Sequence, residues 1–306
     1  MRLKPTQFCQ RTSNVDTRLP LKGLLLLIGL TLVWGASWPI MKIAVEGMPI
    51  FVYRFISAFG CGVFLLTLTR MTGRSLALPR RLWLPILAMA IINVTLFLYF
   101  SAVALQIMPS GHASVMAYTM PLWVFLIGIP VLGDRPRPAQ WLGLALGLGA
   151  IAVLMLKGWS TLGEAPMGII LMGAGAICWA TGTVIMKKMD WQKPMSFVVG
   201  WQFLIGSVPF IPLMWNDLAT LVWPGTKVAL AVSYTLVLAL AFGFWAWFRI
   251  IEMVPASVAS LSVLAIPAIG VVSGALILYE TIGVTELTAL ALLLGALATV
   301  VLPKPD

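Results

Sequence analysis

Charged side chains are scarce in this sequence. Only 10% of its 306 residues are Asp, Glu, Lys or Arg, whereas a soluble domain carries about 25%. Hydrophobic residues make up 60% of the chain, and the mean hydropathy is +1.00. Because so few polar groups cannot cover the surface of a soluble protein of this length, the composition predicts an integral membrane protein.

Residues that bind metals or form disulfides are also few. The three cysteines, Cys9, Cys61 and Cys178, have no CxxC spacing, which argues against a disulfide framework and a zinc site. The Gly-rich runs are not followed by Gly-Lys-Ser/Thr, so they do not predict a phosphate loop. We therefore expect neither a metal nor a cofactor.

Long apolar runs fill most of the chain. A run of about 20 apolar residues spans a bilayer as a helix, and these runs lack the alternation of barrel strands. The first run has no Ala-x-Ala pattern behind it, so we do not expect a cleaved signal peptide. The ten predicted spans are Leu21–Met41, Ile50–Thr69, Leu82–Leu105, Gly111–Leu132, Ala139–Leu156, Met167–Met186, Met195–Trp215, Thr226–Phe248, Ala256–Leu278 and Leu287–Leu302.

The basic residues predict the direction of the spans. With a cytoplasmic N-terminus, 16 of the 20 Lys and Arg fall in cytoplasmic segments and 3 in outer segments. An excess of Lys and Arg is typical of cytoplasmic loops, so both termini are predicted to be cytoplasmic. The net charge of +10 does not indicate a nucleic-acid partner, because the cations lie in short clusters between apolar runs.

A short motif occurs twice, half a chain apart. Trp34 in "VWGASWPIMK" matches Trp179 in "CWATGTVIMKK" at a shift of 145 residues, and the Ile-Met-Lys that follows also matches. Further along, Asp134 matches Glu280 at a shift of 146. The sequence therefore predicts a tail over residues 1–20, one five-helix repeat over 21–157 and a second over 166–302.

The number of spans in each repeat determines their relative orientation. Five is odd, so the second repeat enters the membrane upside down relative to the first. The predicted fold is all-α, with ten transmembrane helices as two inverted five-helix repeats. Such repeats are typical of transporters that work by alternating access around a site near the bilayer midplane.

Polar and aromatic residues within the spans are the candidates for contacting the cargo. His112, the only histidine, shares a helix face with Met116 and Thr119, and it is either a cargo contact or a structural residue bonded to another helix. Aromatic side chains would line an apolar cavity suited to an apolar cargo such as an aromatic amino acid. The predicted binding residues are His112, Tyr99, Trp179, Thr183, Trp38, Trp245, Met116 and Ser260.

Three charged residues lie at or near span ends. Arg54 either attracts the cargo carboxylate or extends to the outer headgroups, and its position shortly after Pro49 favours the second interpretation. Asp134 and Glu280 are predicted to act as gate or capping residues. No carboxylate is recognised at mid-span, so a relay of protons through Asp or Glu is not expected.

The ordered set of motifs resembles the ten-helix, EamA-like branch of the drug/metabolite transporter superfamily. The Trp-Gly/Ala motifs "WGASWP" and "WATGTV", a proline 13 residues before an acidic residue in each half (Pro121 and Pro267), and a Gly-rich last helix carry the resemblance. It implies a bacterial inner-membrane exporter of amino acids, including aromatic ones. The sequence departs from the pattern in having Asp134 rather than Glu and no Gly after Trp179.

Two other functions remain as alternatives. An exporter of a nucleoside or sugar phosphate would need several Lys or Arg in its cavity, and an integral membrane enzyme would need clustered acidic, His or Arg residues. The first hypothesis remains export of an apolar amino acid. The expected partners are the small-molecule cargo and the lipid bilayer, with no nucleic acid.

Overall fold

The computed structural model describes residues 21–132, 138–161, 165–218, 221–222, 224–253 and 256–301, and these residues contain helices and no β-strand. Two helices are each split by a short break, and two others contain a π-helical stretch. We number ten helices: α1 Leu21–Gly47, α2 Ile50–Met71, α3 Arg80–Ile107, α4 Ser110–Ala117 with Met120–Leu132, α5 Pro138–Thr161, α6 Ala165–Lys188, α7 Met195–Ser207 with Phe210–Leu218, α8 Thr226–Tyr234 continuing through Thr235–Phe242 and Gly243–Met253, α9 Ala256–Leu278 and α10 Val284–Val301.

Each helix coincides with one predicted apolar run. Within the described residues, six helices are long and apolar enough to cross a membrane, and four shorter apolar segments lie in α5, α7, α9 and α10. The all-α membrane fold predicted from the sequence is thereby confirmed. Helices form in these runs because a backbone in lipid must satisfy its hydrogen bonds within its own segment.

The two π-helical stretches occupy equivalent positions in the two halves of the chain. One is Ala90–Leu96 in α3, and the other is Thr235–Phe242 in α8, at shifts of 145 and 146 residues. A π-helix widens the turn and leaves backbone carbonyls free to accept from other helices, and such segments are common at functional sites. Thr95 in the first stretch contacts α7 through its side chain, because its hydroxyl donates to the carbonyl of Gly206 over 2.7 Å.

The helix packing has the same pattern in both halves. Helix α1 packs against α9 and α8, while its equivalent α6 packs against α4 and α3. Two further pairs, α2 with α7 and α5 with α10, join equivalent helices directly. These pairings between the halves are therefore preserved when α1–α5 and α6–α10 are exchanged.

Glycine allows the α2–α7 pair to approach closely. A Cβ on Gly62 would lie 2.6 Å from the backbone nitrogen of Leu204 and 2.9 Å from its Cα. Gly200 on α7 lies against Leu66 on α2, where an added Cβ would be 2.9 Å from the Leu66 Cγ. Small residues at such crossings let two helix backbones pack directly in a membrane.

We expect Gly62→Ala to destabilise the protein, because a methyl group there meets backbone atoms that cannot rotate away. Overpacking of this kind costs about 1–3 kcal/mol, which should lower the melting temperature of the purified protein in detergent. Gly149→Ala is the matched control, since its Cβ would meet only Leu292 Cδ1 at an ordinary 3.7 Å and alanine favours a helix. A similar change in melting temperature for both variants would contradict the proposed close crossing.

Candidate functional site

Two tryptophans meet at the centre of the bundle. The rings of Trp34 on α1 and Trp179 on α6 lie edge to face, with centroids 6.5 Å apart and an interplanar angle of 90°. Aromatic pairs favour this edge-to-face geometry. The repeated motif therefore brings its two copies into direct contact.

Each tryptophan is also bonded to the π-helical stretch of the other half. The indole Nε1 of Trp34 donates to the carbonyl of Ala239 in α8 over 2.9 Å. The side-chain amide of Asn93 in α3 donates to the carbonyl of Trp179 over 3.4 Å. Gly243 permits the first contact, because a Cβ there would overlap the indole of Trp34.

Phenylalanines complete a central aromatic cluster around these two rings. Phe244 lies 6.2 Å from Trp34 and 5.2 Å from Trp179 between ring centroids. Phe97 lies 4.9 Å from Trp179, and Phe203 lies 4.9 Å from Phe244. The central aromatic cluster thus draws on α1, α3, α6, α7 and α8 and offers an apolar surface with few hydrogen-bonding groups.

A cavity of about 430 Å³ leads to this cluster from one end of the bundle. Phe244 belongs both to the cavity wall and to the central aromatic cluster. Arg74 and Lys193 line the cavity where α2 ends and α7 begins, and Gln192 and Ser196 add neutral polar groups. The cavity therefore combines a cationic polar part with an aromatic wall.

The opposite end of the bundle is closed by polar contacts. Lys42 Nζ at the end of α1 donates to the carbonyl of Met108 over 2.7 Å, and the Gln106 amide donates to the carbonyl of Val45 over 3.4 Å. These bonds join α1 to the end of α3 and to the connection between α3 and α4.

Glu280 caps the first turn of α4 at this closed end. Its carboxylate accepts from the backbone N–H of Ser110 over 2.7 Å, from the Ser110 hydroxyl over 2.9 Å and from the backbone N–H of Gly111 over 3.0 Å. A carboxylate is favoured there because the first turn of a helix has unsatisfied donors and a positive dipole end. Glu280 thereby ties the α9–α10 connection to α4.

The backbone before Glu280 turns sharply. Tyr279 follows the last residue of α9 and has φ +58°, in the left-handed region. The N–H of Glu280 then donates to the carbonyl of Gly274 over 3.3 Å. This reversal directs the carboxylate of Glu280 back toward α4.

A second contact between the halves lies beside the Glu280 cap. His112 Nε2 on α4 lies 2.6 Å from Glu286 Oε1 on α10, and the two side chains are 13% and 7% exposed. Glu286 also accepts from the backbone N–H of Gly283 over 2.8 Å. His112 is therefore engaged by another helix in this conformation, and its predicted contact with the cargo stays a prediction.

Arg54 does not extend to the headgroups, so the favoured prediction for this residue is wrong. Its side chain is 0% exposed. Nη2 donates to the Ser101 hydroxyl on α3 over 2.9 Å, while Nη1 faces the Tyr53 hydroxyl at 3.5 Å. The guanidinium is directed toward α1 and α3 rather than toward lipid, which the position of Arg54 along its helix could not indicate.

The other predicted binding residues occupy several parts of the bundle. Trp179 lies in the central aromatic cluster, and Trp245 lines the cavity. Thr183 donates to the carbonyl of Trp179 within α6 over 3.0 Å. Tyr99 stacks on Phe51 with centroids 5.8 Å apart. Trp38 and Met116 are buried together in the core beyond the cluster.

Two predicted residues lie outside the part that can be described. Asp134 falls outside the described residues, and nothing is described of the Ser260 side chain. Their predicted roles as gate and binding residue stay predictions. Among the described residues, no group of three or more His, Cys, Asp and Glu is placed to hold a metal.

Sequence reasoning missed three contributors to these sites. Glu286 is a buried carboxylate outside the predicted set, and its place in the first turn of an apolar helix is the sequence signal for it. For Arg74 and Lys193, the sequence indicates only the orientation of the spans. They line one cavity because α2 pairs with α7, which no local pattern shows.

Comparison with known proteins agrees with this architecture. The model of the EamA-like transporter family matches residues 21–156 and again residues 166–302. A chain in a solved crystal structure superimposes with a TM-score of 0.67 over 92% of this chain and 96% of its own length. Since the two sequences are 21% identical, that likeness concerns the fold alone.

Curated relatives are similar over most of their length. The uncharacterized transporter YvbV of Bacillus subtilis is 26% identical, with 90% of each chain covered. The uncharacterized inner membrane transporter YedA of Escherichia coli K12 is 28% identical, covering 94% of this chain and 92% of its own. A protein of Salmonella typhimurium named a probable amino-acid metabolite efflux pump is 25% identical, and the match covers 90% of this chain and 93% of that protein.

Proposed function

The chain belongs to the EamA-like transporter family, and from this membership we propose that it exports amino acids with aromatic or other apolar side chains. It is a multi-pass membrane transporter and not an enzyme. The relatives it resembles are also named transporters. We further propose that it lies in the bacterial inner membrane, with both termini in the cytoplasm. The name of the similar YedA and the distribution of Lys and Arg support that location.

One observation carries the proposed cargo. The cavity combines cations with an aromatic wall that continues into the central aromatic cluster. The cations at the mouth of the cavity would attract the carboxylate of an entering amino acid, and the aromatic wall suits its apolar side chain. Cavities that bind small molecules are mostly apolar with a few placed polar groups. The similar amino-acid metabolite efflux pump supports the same cargo class.

We propose alternating access as the mechanism. The cavity is open at the end that the charge distribution assigns to the cytoplasm, while the Glu280 cap and the His112–Glu286 contact close the other end. Residues 21–157 and 166–302 would be the two inverted repeats, with residues 1–20 as a cytoplasmic tail. Equivalent π-helical stretches and exchange-symmetric helix packing support this division.

A phosphorylated metabolite is the second candidate cargo. Arg74 and Lys193 in one cavity supply the two cations that a phosphate group favours. The aromatic wall fits a nucleoside base as well as an aromatic side chain. A nucleoside or sugar phosphate would bind with more of its contacts at the cationic part.

Flux in proteoliposomes made from the purified protein tests the cargo. Vesicles loaded with labelled phenylalanine should release it by a saturable, protein-dependent process that other aromatic amino acids inhibit. Release should be compared with and without a pH gradient, because the energy source is a separate question. Flux of a labelled nucleotide in place of any amino acid would overturn the amino-acid proposal in favour of the second cargo.

We expect Trp179→Ala to lower kcat/KM for phenylalanine flux about tenfold or more, because the indole packs against Trp34, Phe97 and Phe244. Aromatic contacts contribute about 0.5–1.5 kcal/mol beyond area burial, and about 1.4 kcal/mol corresponds to tenfold. Trp215→Ala is the matched control, since Trp215 is 71% exposed. Equal losses of flux and of yield in both variants would count against a site at Trp179.

A further inference from the structure

Arg54 is a buried cation whose counter-charge the described structure does not supply. Among the described residues, Lys42 lies close to Glu46 and His112 lies close to Glu286, and neither contact involves Arg54. Its Nε is buried without a hydrogen-bond partner. A guanidinium offers five N–H donors, and here only the Ser101 hydroxyl accepts at short distance.

This arrangement is unfavourable for a purely structural residue. A buried charge without an acidic partner loses its hydration at a large cost. The Tyr53 ring lies 4.8 Å from the Arg54 Cζ, and a cation over an aromatic ring recovers only part of that cost. The N-terminal end of α2 gives no compensation, because Arg54 lies in the second turn of the helix and the positive end of the dipole is there. An intramembrane cation kept under these conditions indicates function.

Along α2 and α3, Arg54 and its partner Ser101 lie one helical turn from residues that pack in the central aromatic cluster. Ser101, which binds Arg54 Nη2, follows Phe97 of the cluster by four residues on α3. On α2, Ala58 packs with the cluster and follows Arg54 by four residues. One helical turn rises about 5.4 Å. That separation is comparable with the length of an aromatic amino acid from its ring to its carboxylate.

We propose that Arg54 binds the carboxylate of the cargo while the cargo side chain packs against the central aromatic cluster. This inference rests on the proposed export of amino acids. In the present conformation the hydroxyls of Ser101 and Tyr53 occupy the guanidinium, and the Tyr53 hydroxyl itself donates to Thr235 in the π-helical stretch of α8 over 3.2 Å. Tyr53, Arg54 and Ser101 all lie in the first half, so separation of the halves would break the Tyr53–Thr235 bond and free Tyr53 to leave Nη1. A carboxylate could then take the place of the hydroxyls, because Arg binds carboxylates with paired hydrogen bonds.

Binding of two probes that differ only in a carboxylate or an amide measures how much the carboxylate contributes to affinity. The purified protein in detergent is titrated with 3-phenylpropanoate and with its neutral analogue 3-phenylpropanamide, and tryptophan fluorescence reports binding. Wild type should favour the acid over the amide. Arg54→Gln should reduce that preference at least about tenfold, and Arg54→Lys should retain part of it. Arg70→Gln is the matched control, because Arg70 is an exposed cation at the other end of α2.

A stability measurement separates binding from folding. Arg54→Met replaces the cation by an apolar side chain of similar length, and such replacements of buried charges are often neutral or stabilising. We expect an unchanged or higher melting temperature together with loss of the preference for the acid. A lower melting temperature with equal losses for both probes would show that Arg54 is structural and would overturn the proposal.

The two proposals fail in different ways. Phenylalanine flux with an acid preference that Arg54→Gln leaves intact would overturn the role of Arg54 and keep the proposed cargo. An acid preference that depends on Arg54, without flux of any amino acid, would keep the anion site and overturn the cargo. The absence of an acid preference in wild type would overturn the anion site itself.

Discussion

Glu280→Gln should make the closed end of the bundle reactive from outside. The reporter is Ser114→Cys, because Ser114 lies one turn below Ser110 on α4 and is 0% exposed. Cys9, Cys61 and Cys178 would first be replaced, and a membrane-impermeant maleimide would be added to the outer side. We expect the labelling rate of the reporter to rise about a hundredfold when Glu280 is replaced.

The size of this effect follows from the hydrogen bonds of the carboxylate. Glu280 accepts three hydrogen bonds from Ser110 and Gly111, and each of them joins the second half of the chain to the first. A hydrogen bond to a charged group contributes about 1.5–3 kcal/mol, and about 1.4 kcal/mol changes an equilibrium tenfold. Loss of about 3 kcal/mol from the closed state alone therefore shifts the equilibrium by about two orders of magnitude.

Glu46→Gln is the control for removing a carboxylate at the same end. Glu46 is 51% exposed and lies 3.7 Å from Lys42 Nζ, and exposed ion pairs contribute about 0–1 kcal/mol. Its replacement should leave the labelling rate of Ser114→Cys unchanged. An equal rise in both variants, or no rise in either, would show that the Glu280 cap does not hold this end closed.

A disulfide between α4 and α9 should stop transport. A Cβ on Gly274 would lie 2.9 Å from the Ser110 Oγ, so cysteines at these two positions would meet at bonding distance with little movement. In the background without natural cysteines, oxidised Ser110→Cys/Gly274→Cys should show flux at least about a hundredfold lower than the reduced protein. Reduction should restore the flux, because the bond only prevents the two halves from separating at this end.

The single variants Ser110→Cys and Gly274→Cys control for the substitutions themselves. The Gly274 variant matters most, because its side chain also approaches Glu280 Oε2 at 2.7 Å. Both single variants should be insensitive to oxidation. Full flux through the oxidised pair, with the bond verified by mass spectrometry, would rule out a cycle that opens the bundle between α4 and α9.

Much of the helix architecture was predictable from the sequence. The ten apolar runs coincide with the ten helices, because a lipid environment requires long apolar segments and internally bonded backbones. The repeated Trp motif also identified Trp34 and Trp179 as equivalent positions. Their contact was not predictable, since it depends on how α1 and α6 cross. The π-helical stretches could not be predicted from the sequence either, because their residues are those of ordinary apolar helices.

The sequence by itself determined which segments lie in the membrane and which residues are equivalent, since length, hydropathy and repetition are properties of a linear chain. Only the tertiary structure decided what each polar side chain contacts. Arg54 turned out to face Ser101 on α3, Glu280 to cap α4, and Arg74 and Lys193 to share a cavity. The physical reason is that in a bundle of uniformly apolar helices the face that meets a neighbour is selected by packing between distant segments, and hydrophobic periodicity does not record it.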